Sequence, residues 1–151
     1  TWGKLSTFKG IVHIPYNIST MSIFEQYTSN IPLFFPSYRY MKRLRKDNHH
    51  NGILSELSWN QVFNYPSNSA LPADSDPNDY NNNETMMQWV KSADFYDEEN
   101  MPFLQYFNSF EELELKLSKL PLREISHNMK QHNKGRKIKV YEKWQTLLEK
   151  L

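Results

Sequence analysis

Two short apolar runs, each closed by a proline, constrain this chain more than any other feature. Ile11-Val12-His13-Ile14 ends at Pro15, and Ile31-Pro32-Leu33-Phe34-Phe35 ends at Pro36. Proline lacks a ladder donor and fixes its own φ, so runs this short that stop at one read as strands and not as helices. Between them, Met21 to Thr28 places Met21, Phe24 and Tyr27 or Thr28 at helical spacing. Strand, helix and strand within about 25 residues form a βαβ unit. Its two strands are expected to be parallel, because a helical crossover brings the chain back in its original direction.

Downstream, Tyr38 to Lys46 reads as a helix with Tyr40, Met41 and Leu44 inward and Lys42, Arg43, Arg45 and Lys46 on a solvated face. Ile53 to Val62 reads as a further short helical or irregular piece. From Pro66 to Asn83, Ser, Asn, Asp and Pro dominate and periodicity is lost, the signature of a long, flexible surface loop. Glu84 to Ala93 carries Met86, Met87, Trp89 and Val90 on a broad apolar helical face. Pro102 precedes Phe103 to Phe107, a third expected strand, and Asn108 or Ser109 can cap the helix that follows. Ser109-Phe110-Glu111-Glu112 has capping-box spacing, and Pro121 closes that helix after about Leu120. From Leu122 the chain is mostly helical, with Ile138, Tyr141, Trp144, Leu148 and Leu151 on one face and Gly135 as a place where it can bend.

Three parallel strands alone leave a raw sheet edge, which points to part of a larger sheet. The expected fold is α/β: a partial doubly wound, Rossmann-like parallel sheet of about three strands with flanking helices and a long C-terminal helix. It spans residues 1–151 as one unit. The first residue is Thr1, as expected of a processed product or an excised piece.

Composition removes several functions. The 38% hydrophobic and 15% aromatic content is enough for a packed core, so the chain is not a disordered tail. Eighteen basic against seventeen acidic side chains leave +1, too little for the chain as a whole to be drawn to nucleic acid or to an anionic membrane. With no cysteine, thiolate zinc sites, disulfides and cysteine nucleophiles are excluded, and a cytoplasmic, reducing location is expected. No apolar run approaches the roughly 18 residues of a membrane span, and the first residues do not form a signal peptide. His49-His50 lacks a third ligand at metal spacing, so no metal is expected, and His127 and His132 read as surface residues. Gly-x-Ser-x-Gly, phosphate-loop and Gly-x-Gly-x-x-Gly patterns do not occur.

The candidate site lies where the first strand gives way to the helix, at Tyr16 to Ser22. Ligands of open α/β sheets bind outside the carboxyl ends of the strands, and helix amino termini offer free N–H groups to anions. Ser19, Thr20 and Ser22 would add hydroxyls to such a seat; equally, one of them would simply cap the helix. Glu25 has two readings as well. It completes a capping box with Ser22, or it is a carboxylate held out for a ligand.

From Asn17 to Pro32 the chain resembles the donor-binding segment of GT-B-type glycosyltransferases. Glu25 stands seven residues before Pro32 in "EQYTSNIP", similar to the "EAMACGxP" pattern of that family. The resemblance implies that Glu25 is the second glutamate of a Glu-x7-Glu motif and binds the ribose hydroxyls of a nucleotide-diphosphate sugar. Asn17 stands where the first glutamate would be, Ile18 and Thr20 replace glycines, and Ser19, Thr20, Met21 and Ser22 would face the phosphates. The stretches "ADFYDEENMPFLQYFNSFEEL" and "HNMKQHNKGRKIKVYEKWQTLL" look like the last strand, its helix and the closing helix of the same domain. The implied function is transfer of a sugar from the donor to an acceptor hydroxyl, without cofactor or metal. The partners implied are the nucleotide-sugar donor and an N-terminal acceptor-binding domain of the parent chain; the catalytic base, unknown from this sequence, would lie there, and this piece alone would be inactive. The alternative is a non-catalytic α/β interaction module that kept the fold.

Overall fold

The computed structural model describes residues 2–5, 7–17, 20–47, 53–54, 87 and 90–150. A short helix α1 (Trp2–Leu5) leads into β1 (Ile11–Val12), then α2 (Ser22–Thr28) and β2 (Leu33–Pro36). Helix α3 (Tyr38–Asp47) follows at once. After a 3-10 turn at Asp94–Tyr96 come β3 (Gln105–Phe107), α4 (Phe110–Lys119) and α5 (Leu122–Leu148). The three strands form one sheet in the order β1-β2-β3, both pairs parallel. Ile11 pairs with Leu33 and Val12 with Phe34; Phe34, Phe35 and Pro36 pair with Gln105, Tyr106 and Phe107.

β2 is central, which explains why every one of its residues is buried while β1 and β3 are only partly so. Side chains alternate across the strand, and the two sides of β2 enter two separate cores. Phe34 joins Phe107, Tyr40, Met41 and Leu44 of α3, and Leu113 of α4, together with Ile53, Leu54, Met87 and Val90. Leu33 and Phe35 join Ile23 and Tyr27 of α2 and Met129 of α5, with Ala93, Phe95, Met101 and Leu104. Helices therefore cover both faces, as in a doubly wound sheet. Burying one such large apolar side chain contributes about 1.5–3 kcal/mol, so β2 is where the sheet is held. Gly10 fits the close approach of the β1 entry to its neighbour, since a Cβ there would lie 2.9 Å from Phe34 Cε2 and 3.1 Å from the Pro32 carbonyl.

Buried and half-buried tyrosines tie the loops to the sheet. Tyr27 donates to the Pro102 carbonyl, Tyr96 to Pro36 and Tyr106 to Phe95, at 2.9, 2.8 and 2.9 Å. Burial pushes the Tyr27 and Tyr106 hydroxyls up to about 12, so they remain donors at any physiological pH. The end of α2 is fastened to α5: Ser126 donates to the Asn30 carbonyl at 2.7 Å, and Asn133 donates to the Tyr27 carbonyl at 3.0 Å and to Asn30 Oδ1 at 2.9 Å. Asn30 itself has φ 61°, the left-handed conformation that ends helices and that asparagine tolerates.

Several expectations are corrected. Arg45 is fully buried, not solvated: its Nη1 donates to the carbonyls of Ile53 and Leu54 at 3.2 and 3.1 Å. The third strand begins at Gln105, because Phe103 takes φ 71° in the preceding turn. α5 runs unbroken through Gly135. His132 is half-buried, edge-on to Tyr27 and Phe103 with centroids 6.4 Å away in each case. Of the piece expected over 53–62 only Ile53 and Leu54 are described, and of the helix over 84–93 Met87, Val90 and Lys91 are helical. The polar loop over 66–83 and His49-His50 lie outside the described residues.

Candidate functional site

A parallel sheet brings all its carboxyl ends to one edge, and that edge carries the candidate site. From β1 the chain passes through His13, Ile14, Pro15, Tyr16 and Asn17 and enters α2 through Thr20 and Met21. β2 delivers Ser37, and β3 delivers Asn108 and Ser109.

Asn17, Thr20 and Ser22 are half-buried, Tyr16 is exposed, and Met21 is 74% exposed. Ser19 and Ile18 lie outside the described residues, so the expected phosphate seat is described only at Thr20, Met21 and Ser22. Pro15 is buried, and its carbonyl accepts the Leu54 N–H at 3.1 Å. Leu54 is in turn held by Arg45. A buried cation on α3 thus braces the loop that leaves β1.

The capping box expected at Ser22 does not form. Met21, already in helical conformation at φ −55° and ψ −36°, occupies the N-cap, and no side chain caps there. The turn starts one step earlier, with the Thr20 carbonyl accepting Ile23 N–H at 3.1 Å and Met21 accepting Phe24 N–H at 3.2 Å. Ser22 is consequently the first helical residue. Glu25 is left exposed one turn inside α2, and its carboxylate forms no hydrogen bond or ion pair with any of the described residues.

Next to this loop stands a residue that the sequence reading passed over. The His13 ring is stacked on Phe35, centroids 4.8 Å apart and planes 6° from parallel, and its Nε2 lies 2.5 Å from Gln26 Oε1. An amide oxygen accepts, so Nε2 carries the proton. The signal was a histidine inside a β-branched run, which alternation places toward α2. Burial lowers the His13 pKa below its ordinary 6.5, and the Gln26 hydrogen bond opposes this only in part. The unfolded chain therefore binds a proton at a higher pH than the folded one. The stability due to neutral His13 is complete above about 6.5 and is lost as pH falls through the folded value. Between about pH 7 and 5 the urea midpoint should fall less in His13→Phe, which keeps a stacked ring, than in the parent; equal slopes would refute the assignment.

At the ends of β2 and β3, Ser37 Oγ donates to Asn108 Oδ1 at 2.7 Å, and Arg43 donates to the Asn108 carbonyl at 3.2 Å. Arg43 also lies 4.6 Å above the Tyr40 ring. Ser109 caps α4 by accepting Glu112 N–H at 3.1 Å, as its spacing predicted. Glu112 reaches past the cap to Asn108, accepting its N–H at 2.8 Å and its Nδ2 at 2.9 Å, and pairs with Lys116 at 2.9 Å. Lys116 and Asn108 together hold the Glu112 carboxyl down to about 2. The strand-end edge therefore carries hydroxyls at Thr20, Ser22 and Ser37 and an exposed cation at Arg43, while the exposed carboxylate of Glu25 stands one turn into α2. Ser37, Arg43 and Asn108 were not singled out from the sequence, because nothing local marks residues that only the parallel pairing brings together.

Two clefts lie away from these residues. One of about 570 Å³, bordered by Phe8, Asn30, Pro32 and Leu117, sits at the opposite, amino edge of the sheet. Another of about 600 Å³ follows α5 past His132, Arg136 and Lys139. Among the described residues no three His, Asp or Glu side chains gather as a metal site, and no helix is long and apolar enough to cross a membrane. Comparison of the chain with protein-family models, curated proteins and solved structures finds no match.

Proposed function

We propose that this chain is the donor-binding part of a GT-B-like glycosyltransferase, with Glu25 as the ligand to the ribose of a nucleotide-diphosphate sugar. The observation that carries the reading is the Glu25 carboxylate, exposed one turn inside α2 and without the capping role that its spacing with Ser22 would have explained. Two carboxylate oxygens suit the two adjacent hydroxyls of a ribose, each of which donates one hydrogen bond. The hydroxyls of Thr20 and Ser22 would meet the phosphates, with Ser19 and the backbone of Met21 as further donors, and Asn17 would hydrogen-bond the sugar. Arg43 is a cation of the right sign to balance a leaving diphosphate, an electrostatic and not a covalent contribution. The sugar would pass to an acceptor hydroxyl held by an N-terminal domain of the parent protein, which would also supply the base.

The test is calorimetric titration of UDP, GDP and CDP into the intact protein and its Glu25→Ala variant. A carboxylate shared by two hydroxyls contributes about 1.5–3 kcal/mol, so the variant should bind its preferred nucleotide at least tenfold more weakly. Unchanged affinity would remove Glu25 from the site. Absence of binding by the parent to all three nucleotides would favour the non-catalytic interaction module instead.

A further inference from the structure

The two halves of α5 have different surroundings. In the first half Met129 is fully buried, Ile125 packs on the same core, and Ser126 and Asn133 fasten α2. From Lys137 to Lys150 every residue is exposed. That stretch is nevertheless not polar. Val140, Trp144, Leu147 and Leu148 follow one another at four, three and one residues, a single helical face, and Tyr141 lies one turn before Trp144 on the same side. Trp144 is 58% exposed, Tyr141 62% and Leu148 62%. Val140, Trp144 and Leu147 line a shallow apolar depression of about 370 Å³ edged by Lys143.

The charges beside this face are mostly basic. Residues 137–150 carry four Lys side chains against Glu142 and Glu149, and Lys134 and Arg136 stand just before them, on a chain whose net charge is +1. Arg136, Lys139, Lys143 and Lys150 follow at spacings of three, four and seven, one row along the flank of the apolar face. Lys137 lies two turns before Trp144 and holds its ammonium 5.6 Å from the Tyr141 ring centroid. At the near end Glu99 enters the groove that holds Arg136, Lys139 and Lys143.

We infer that the distal half of α5 is an interfacial anchor that lies along the surface of an anionic lipid bilayer. Three features select this occupant. In an antiparallel pair a second copy of the helix would bring the same cationic row against itself, which opposes that mode of self-association. The surface is a convex rod, which suits a plane of lipid. Its centre is a tryptophan with a tyrosine beside it, side chains that favour the headgroup level, while long Lys and Arg stems let the apolar atoms sink as the charges stay at the phosphates. The mode is that of a helix lying in the interface and not of a span.

Flotation of the intact protein with vesicles of phosphatidylcholine, with and without about one third phosphatidylserine, tests this. The protein should float with the anionic vesicles at low salt and be released as salt rises. Trp144→Ala, and separately Lys137→Glu with Lys143→Glu, should each weaken binding by tenfold or more; reversal of two cations should exceed this, at about fivefold per cation neutralised. Circular dichroism should stay unchanged, because these side chains are exposed and support no core. Failure of the intact protein to float with anionic vesicles would overturn the inference, as would dimers that persist at high salt and dissociate in Trp144→Ala. Equal retention on soluble polyglutamate, undiminished in Trp144→Ala, would overturn it in favour of an acidic polypeptide.

Discussion

Phe35→Ala is expected to lose about 3–5 kcal/mol of stability, the range for deleting a large aromatic from a packed core. Phe35 is fully buried on the central strand, and its ring is stacked on two others: His13 at 4.8 Å and Phe95 at 5.0 Å, the second within 4° of parallel. The loss therefore includes the aromatic contacts, each worth about 0.5–1.5 kcal/mol beyond area burial. Against a total of about 5–15 kcal/mol for a typical domain, the variant would be close to unfolding. Urea denaturation of parent and variant measures this directly; a loss below about 1 kcal/mol would mean that the stack is not a core element.

Arg45 gives the second large effect, and two substitutions separate its causes. Arg45→Ala should cost about 3 kcal/mol, since it removes the packed stem and the donor to two buried carbonyls. Arg45→Met keeps most of the stem and should cost about half as much, because relief from burying a guanidinium offsets part of the lost bonding. The damage should also be directional. Arg45 holds Leu54, and Leu54 holds Pro15, so amide exchange should speed up at Leu54, whose N–H donates to the Pro15 carbonyl, before it does in β2. Uniform acceleration across the sheet would show that Arg45 supports only the global fold.

Local signals in the sequence located the βαβ unit because short apolar runs that meet a proline cannot continue as helices, although β1 stops already at Val12 and β2 runs from Leu33 through Pro36 itself. The parallel pairing of β1 with β2 follows from the same reading. Where the outcome depended on distant neighbours, local reading failed. Arg45 stands among Lys42, Arg43 and Lys46, and its burial against the Ile53 and Leu54 carbonyls is not visible in that local pattern. The two Ser-x-x-Glu boxes make the same point. Ser109 is extended, at φ −159° and ψ 167°, so its hydroxyl can turn back to the Glu112 N–H; before Ser22, Met21 is already helical and the geometry is gone. Of the candidate site, spacing left Glu25 open between capping and a free carboxylate, and the N-cap geometry at Met21 is what separates the two. The grouping of Ser37, Arg43 and Asn108 was not legible, because it depends on which strands pair.

The bonds from Ser126 and Asn133 to Asn30 have a consequence in time. Asn133 and Asn30 are 103 residues apart, so the C-terminal end of α2 cannot be completed until synthesis has passed Asn133. At about 5–20 residues per second, a ribosome makes that second partner roughly 5–20 s after the first. During that interval the helix that carries Glu25 is held by β2, His13 and, once it is made, the segment around Phe95 and Pro102, but its C-terminal end lacks the bonds from α5. The helix that carries the glutamate thus receives its last fastening well after its own residues have been synthesised.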